Sequence, residues 1–281
     1  MPFDQAAGIA LITALSVLAF IAARQIADRG SARPVALSLL LALLYAWTCS
    51  GKLAWASVLP AGWVLVWSNL MPVLLALAAG LASKSLSLAR WQRPATTSAL
   101  LVLAVAYIIM PVARPLLAPV QLASPSNWRG DICLQSHSSS CAPAAAATLL
   151  RLAGIDSDER ALASVCLTSR HGTEPLGLYG GLAAASYRYG IHPRAASPNA
   201  DRWIANDQLP LIALVRFADS SGTGALQRLL GPRGEGHAVV VLGRDSEGNW
   251  MIADPAFGRT SWTDQAFRDR FTGDAIYLDS K

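Results

Sequence analysis

In LQSHSSSCAPAAAATLL, residues 134–150, a single cysteine stands where a helix is expected to begin. Pro143 fits the first helical turn, where its missing N–H would be unpaired in any case, and Ala144 to Leu150 are good helix formers. Cys141 therefore falls at a helix N-terminus. Free N–H groups and the helix dipole favour a thiolate there, which is how a cysteine becomes a nucleophile near neutral pH. Gln135 precedes it in a Ser-rich loop, and its amide is spaced to donate to an oxyanion beside the sulfur. Of the four histidines, His237 is the best placed: it follows the Gly-rich RGEG and opens an apolar strand, which would seat it at a sheet edge facing the helices. If DSEG at 245–248 is a hairpin turn, His237 and Asp254 pair near the open end of that hairpin, close enough for a carboxylate to orient an imidazole.

Each residue also has a plain reading. A cysteine opening an alanine-rich helix is commonly a core thiol, His237 fits a satisfied strand-edge histidine, and Asp254 in ADPAFG fits a turn residue bonding local N–H groups. Taken jointly, the four favour acyl transfer by a cysteine. Cys133, His137 and Cys141 make a C-x3-H-x3-C pattern with no second ligand pair, so neither a metal nor another cofactor is expected. In an oxidising compartment Cys133 and Cys166 fit either a disulfide or two buried thiols.

The elements that must position these groups follow a change of period. A helix begins at Cys141, and a second starts in IDSDERALASVCL with Asp156 or Ser157 as N-cap and acids in its first turn. A third runs over Pro175–Tyr189, where Gly177, Gly180 and Gly181 hint at close packing. LPLIALVRF (209–217), HAVVVLGR (237–244), NWMIADP (249–255) and DAIYLDS (274–280) then read as strands. Helices followed by an antiparallel sheet make an α+β domain.

LQSHSSSCAPAAAATLLRLAG, RHGTEPLGLYGGLAAASYRYGI, LPLIALV, GHAVVVLGRD and ADPAFGRTSWTDQAF, in that order, resemble the bacteriocin-processing (double-glycine leader) cysteine peptidases of the papain-like clan. The resemblance covers Trp128 to Tyr277. It implies a papain-like fold with Cys141 as nucleophile, His237 as general base and acid, and Asp254 as the orienting carboxylate. Gln135 and the Cys141 backbone N–H would form the oxyanion hole. The implied activity is an endopeptidase cutting a leader or precursor peptide after a Gly-Gly-like pair. The alternative is a catalytically weak module that binds leaders for an export partner. Two departures stand out: Ala142 replaces the usual Gly after the nucleophile, and Ser140 the frequent Asp before it. No G-x-x-x-x-G-K-[ST] motif accompanies the domain, unlike the exporters in which such peptidases are best known.

The chain is 53% hydrophobic and 15% charged, too apolar for one soluble globule. The excess lies in the first 115 residues, which carry eight Lys and Arg against Asp4 and Asp28; the remainder has fifteen basic and sixteen acidic residues. The basic charge therefore flanks apolar runs and is not clustered on the folded domain, which argues against nucleic-acid binding. Four transmembrane helices are expected, at about 5–23, 34–51, 63–82 and 94–113, followed by a Pro-rich linker at 116–127 and the peptidase-like domain at 128–281. A cleaved signal peptide competes for the first run, but MPFDQ carries an acid and no Lys or Arg. Arg24, Arg29 and Arg33 follow the first span and Lys84, Arg90 and Arg93 the third; the positive-inside rule makes those loops cytoplasmic. The expected location is thus the inner (cytoplasmic) membrane, multi-pass, with the peptidase-like domain on the periplasmic or extracellular side. The expected partners are the bilayer, a peptide or protein precursor and an export machinery.

Overall fold

The computed structural model describes residues 3–27, 33–59, 64, 68–85, 89–195, 208–216 and 236–279. The start of the third expected span, most of the RGEG stretch, Arg29 and Phe217 lie outside the described residues. The chain divides into two compact units, Met1–Ala113 and Arg114–Lys281.

The first unit is built from apolar helices: α1 (Phe3–Ile26), α2 (Arg33–Thr48), α3 (Met71–Ala82) and α4 (Gln92–Leu117), the last of which continues past the unit's end at Ala113. Two stretches, Ala6–Ile26 and Gln92–Leu117, are long and apolar enough to cross a membrane, whereas α2 and α3 are apolar but shorter. Local chemistry explains the shortfall from the four full spans expected. α2 ends ahead of Gly51, whose φ of 69° leaves helical geometry. α3 starts only at Met71 with Pro72 in its first turn, after Leu70 donates its N–H to the Tyr45 hydroxyl at 3.1 Å. α4 runs through Pro111 and Pro115 to Leu117, past the expected end at 113. Gly80 lets α3 press on α1, since a Cβ there would lie 2.5 Å from the Phe20 carbonyl oxygen.

The second unit is α+β. A small hairpin, β1 (Asn127–Arg129) with β2 (Ile132–Leu134), precedes three helices: α5 (Cys141–Leu152), α6 (Glu159–Val165) and α7 (Pro175–Ser186). The six-stranded antiparallel sheet has the order β3 (His192–Ala195), β8 (Phe271–Asp279), β4 (Leu211–Arg216), β5 (Gly236–Arg244), β6 (Trp250–Asp254), β7 (Gly258–Trp262). A short helix, α8 (Asp264–Arg270), precedes β8. The hairpin turn at 245–248 is present, closed by the Asp245 N–H on the Asn249 carbonyl at 2.9 Å. Two expectations shift: the N-cap of α6 is Asp158, whose carboxylate accepts from Ala161, not Asp156 or Ser157, and β5 is an interior strand and not an edge.

One apolar cluster holds the sheet to α8. Leu211, Ala213, Val215, Val239, Val241, Trp250 and Ile252 pack around Phe267, whose ring lies 4.9 Å from Trp250 and stacks at 5.4 Å on Phe271. Arg268, Arg244 and the Trp250 indole N–H all bond the Asp264 carboxylate, which holds its pKa down to about 2 and pins α8 to the β5–β6 hairpin. α5 is buried from Ala142 to Leu150, as expected of a helix apolar on every side, and packs on β5. α7 approaches the end of α6 through its glycines: a Cβ on Gly181 would lie 2.2 Å from Cys166 Sγ.

Candidate active site

Cys141 is the first residue of α5, so its backbone N–H is one that no helical carbonyl satisfies. Ser140, fully buried before it, does not cap the helix with its side chain. Its hydroxyl instead donates to the His137 carbonyl at 2.8 Å and accepts the His137 N–H at 3.1 Å, tying down the loop that leads into the cysteine. Cys141 remains partly exposed and free of any disulfide.

His237 is the second residue of β5, directly opposite Val215 on β4. Its Nε2 lies 2.8 Å from Asp254 Oδ1, and both side chains are nearly closed to solvent, at 10% and 2% exposure. The sequence arithmetic brought these two residues together, but the ladder differs in detail. Val240 pairs with Ala253, and the register shifts between Val241 and Gly243. Asp254 therefore falls across from Val239, and His237 is its diagonal neighbour, within reach of a cross-strand pair. With Nε2 engaged by the carboxylate, Nδ1 is the ring nitrogen left for Cys141, with which His237 also shares a side-chain hydrogen bond. Burial works to lower the His237 pKa, yet the bonds to Asp254 and Cys141 and the charges of both outweigh it and raise it from 6.5 to about 9. Asp254 serves the turn as well, since the Ala256 N–H donates to the same Oδ1 at 2.8 Å. The turn bond of the plain reading and the contact with His237 are therefore made by the same oxygen.

Gln135 reaches the neighbourhood by its backbone. Its N–H donates to the Pro255 carbonyl at 2.8 Å, which binds it to the turn that carries Asp254. Its side chain does not bond to Cys141; Nε2 donates to the His137 carbonyl at 3.1 Å, and the buried Oε1 has no partner among the described residues. The structure thus joins Cys141, His237 and Asp254 in one bonded series and leaves the Gln135 amide on its own loop.

The flanking loop holds a group that the sequence pattern did not single out. Glu159 reads in sequence as a solvent-facing first-turn acid, yet it is fully buried, with its carboxylate accepting from Ser136. The only signal was the acid directly after the N-cap Asp158, which is common to exposed helix starts. The two remaining thiols of this unit, Cys133 and Cys166, are buried and unpaired, and burial pushes each up to about 12. Among the described residues no cluster of three or more His, Cys, Asp or Glu is arranged to hold a metal ion.

A family model described as the Peptidase_C39 like family matches residues 127–277, which is the α+β unit from β1 to β8. The chain belongs to the peptidase C39-like family. Two archaeal relatives are uncharacterised proteins. One, from Methanothermobacter thermautotrophicus, is 31% identical over 156 residues, covering 55% of this chain and 93% of the relative. The other, from Methanothermobacter marburgensis, is 32% identical over 155 residues, covering 54% and 92%. Among solved structures, the peptidase domain of Streptococcus ComA, a bifunctional ABC transporter of a quorum-sensing pathway, matches at 22% identity and a TM-score of 0.41, covering 53% of this chain and 96% of that one. A double glycine motif protease from an AMS/PCAT transporter, in complex with its leader peptide, matches at 18% identity and a TM-score of 0.40, covering 57% and 97%.

Proposed function

We propose that the chain is a membrane-anchored cysteine endopeptidase that cuts a leader or precursor peptide after a Gly-Gly-like pair of small residues. The observation that carries this reading is the bonded series Cys141–His237–Asp254, with Nε2 to Oδ1 at 2.8 Å. The Cys141 sulfur attacks the scissile carbonyl. The Cys141 N–H and the Gln135 amide take up the charge on the oxyanion, the latter exchanging a loop carbonyl for the substrate oxygen. His237, protonated at the pH of the reaction, gives its proton from Nδ1 to the leaving amine and then draws one from the water that releases the acyl-enzyme. Asp254 holds the ring in this orientation throughout. Family membership and the sequence resemblance support the choice of substrate.

The membrane assignment rests on the two long apolar helices; a four-span anchor further requires that α2 and α3, each shorter than a full span, cross together with the residues that flank them. This reading makes 1–115 the anchor, 116–127 the connection and 128–281 the peptidase domain. The Lys and Arg distribution puts that domain on the periplasmic or extracellular side of the inner membrane. There an export machinery would deliver the precursor.

A second reading, a catalytically weak module that captures leaders for an export partner, draws support from the Gln135 amide bonded to its own loop and from Ala142 beside the nucleophile. One pair of measurements separates the two. Cys141→Ala is expected to abolish cleavage of a Gly-Gly precursor while expression and membrane insertion persist. Labelling of Cys141 by a thiol-directed probe should depend on His237. Cleavage that survives the substitution, or labelling no faster than in denatured protein, refutes the peptidase assignment.

A further inference from the structure

Gln135 has no bond to the sulfur it is meant to assist, so its position depends on what grips its backbone. One grip is the Pro255 carbonyl on its own N–H at 2.8 Å. The other acts on the next residue. The Ser136 N–H donates to Glu159 Oε1 at 2.9 Å and the Ser136 hydroxyl donates to Oε2 at 2.7 Å, so both carboxylate oxygens are spent on one serine. The same hydroxyl accepts the Ala123 N–H at 3.0 Å, and the Ser126 hydroxyl accepts the Glu159 N–H at 3.0 Å, which closes the cluster.

Glu159 is fully buried, and no Lys or Arg among the described residues forms an ion pair with it. Burying an acid this way costs free energy that an apolar residue would not, and what the carboxylate holds in return is Ser136, by its backbone N–H and its hydroxyl. Ser136 itself lies at the surface, while the carboxylate that its N–H and hydroxyl meet is closed to solvent. Two bonds from one rigid carboxylate hold both the backbone and the side chain of Ser136 in one place.

We propose that Glu159 is a positioning residue for the oxyanion hole: through Ser136 it fixes the backbone of Gln135, and so the place from which the Gln135 amide meets the substrate oxygen. This inference rests on the peptidase reading of the site. Glu159 touches neither substrate nor sulfur and acts only where negative charge develops on the carbonyl oxygen. Loss of its grip therefore weakens steps that form an oxyanion and spares steps that do not.

The test uses the full chain in detergent, a capped peptide amide ending in Gly-Gly before a fluorogenic leaving group, the corresponding Gly-Gly aldehyde, and iodoacetamide. The aldehyde forms a tetrahedral adduct whose oxygen needs the hole, whereas iodoacetamide alkylates the thiolate without one. Glu159→Gln keeps the size and one acceptor. Its kcat and its aldehyde affinity are expected to fall by about 10- to 100-fold, the scale on which displacing an oxyanion donor acts, with KM and the alkylation rate of Cys141 unchanged. Unchanged turnover and aldehyde binding overturn the proposal. A parallel fall in alkylation also overturns it, because that is the mark of a purely structural residue. Should Glu159→Gln not fold, Ser136→Ala removes one of the two bonds and must give the same split in weaker form; equal turnover in that variant refutes the role. If the wild-type chain neither cleaves the peptide nor binds the aldehyde, the peptidase reading has failed in its own control, and the role of Glu159 falls with it.

Discussion

Asp254→Asn tests the site at its most constrained bond. The replacement keeps the side-chain oxygen that accepts the Ala256 N–H but removes the charge facing Nε2 of His237. In the intact site the imidazole is raised from 6.5 to about 9 against the opposing pull of burial. A tenfold change in proton affinity is worth about 1.4 kcal/mol, so the rise corresponds to about 3 kcal/mol favouring the folded, protonated form. Because the folded pKa lies above the unfolded one, that contribution is complete below pH 6.5 and disappears as pH climbs through about 9. Removing the Asp254 charge takes away its hydrogen-bonded and coulombic support and leaves burial unopposed except by Cys141. His237 then titrates below its wild-type position, held up by Cys141 alone. Two measurements follow. The basic limb of kcat/KM, where the imidazolium that protonates the leaving amine is lost, should stand near pH 9 in the wild type and move to lower pH in the variant. Stability measured by denaturant should be lower in the variant by up to about 3 kcal/mol at pH 6, with the gap closing towards pH 10. A basic limb that stays in place in the variant, or a stability gap that widens with pH, would refute the assignment of Asp254 as the group that holds the proton on His237.

Two further expectations concern packing and topology. Gly181→Ala forces a Cβ to 2.2 Å from Cys166 Sγ and 2.9 Å from its Cα, so it should destabilise the unit by at least about 1–3 kcal/mol in thermal unfolding, with no relief from Cys166→Ala because the backbone clash remains. Gly180→Ala, with open space around it, should instead gain about 0.5–1 kcal/mol of helix propensity; equal effects at the two positions would contradict the contact with Cys166. A C-terminal alkaline phosphatase fusion should be active and a C-terminal green fluorescent protein fusion dark, and the reverse pattern would put the domain on the cytoplasmic side.

What could be read in the sequence followed from how local the determinant was. The turn at 245–248 and the alternation of the two strands it joins fix the relation of His237 to Asp254, because hairpin register propagates one residue at a time. The observed register, with Val240 opposite Ala253, makes the two a diagonal pair and not the direct one expected, without separating the groups. The start of α5 was equally local, written in Pro143 and the alanines. By contrast, β3 (HPRA) and β7 (GRTSW) are short strands whose existence depends on β8 and β6 beside them, and neither carries a periodic apolar signal of its own. Glu159 was illegible for a similar reason: its burial is decided by the chain at 123–136 folding over it, twenty-three residues from the serine it holds. In the helical unit, composition gave apolar runs, but Gly51 and Pro72 decided where two of the helices stop and start.

The fold also sorts its thiols, which bears on how the site can be read in solution. Cys133 and Cys166 are each pushed up to about 12, both chiefly by burial and Cys133 also by the nearby charge of Glu159. Deprotonation, the requirement for alkylation, is thus suppressed at both near neutral pH. Cys141 differs in three respects at once: it is partly exposed, it opens a helix, and it is bonded to a histidine that carries a proton up to about pH 9. Only Cys49, in the helical unit, is comparably exposed, and its sulfur meets the Thr48 hydroxyl at 3.3 Å. A labelling rate that collapses on replacing His237 therefore reports Cys141 alone, with the other three cysteines left in place. The partition works because the Gly177 and Gly181 side of α7 seals Cys166, α5 and the Thr148 hydroxyl enclose the Cys133 strand, and the same helix presents its first residue outward.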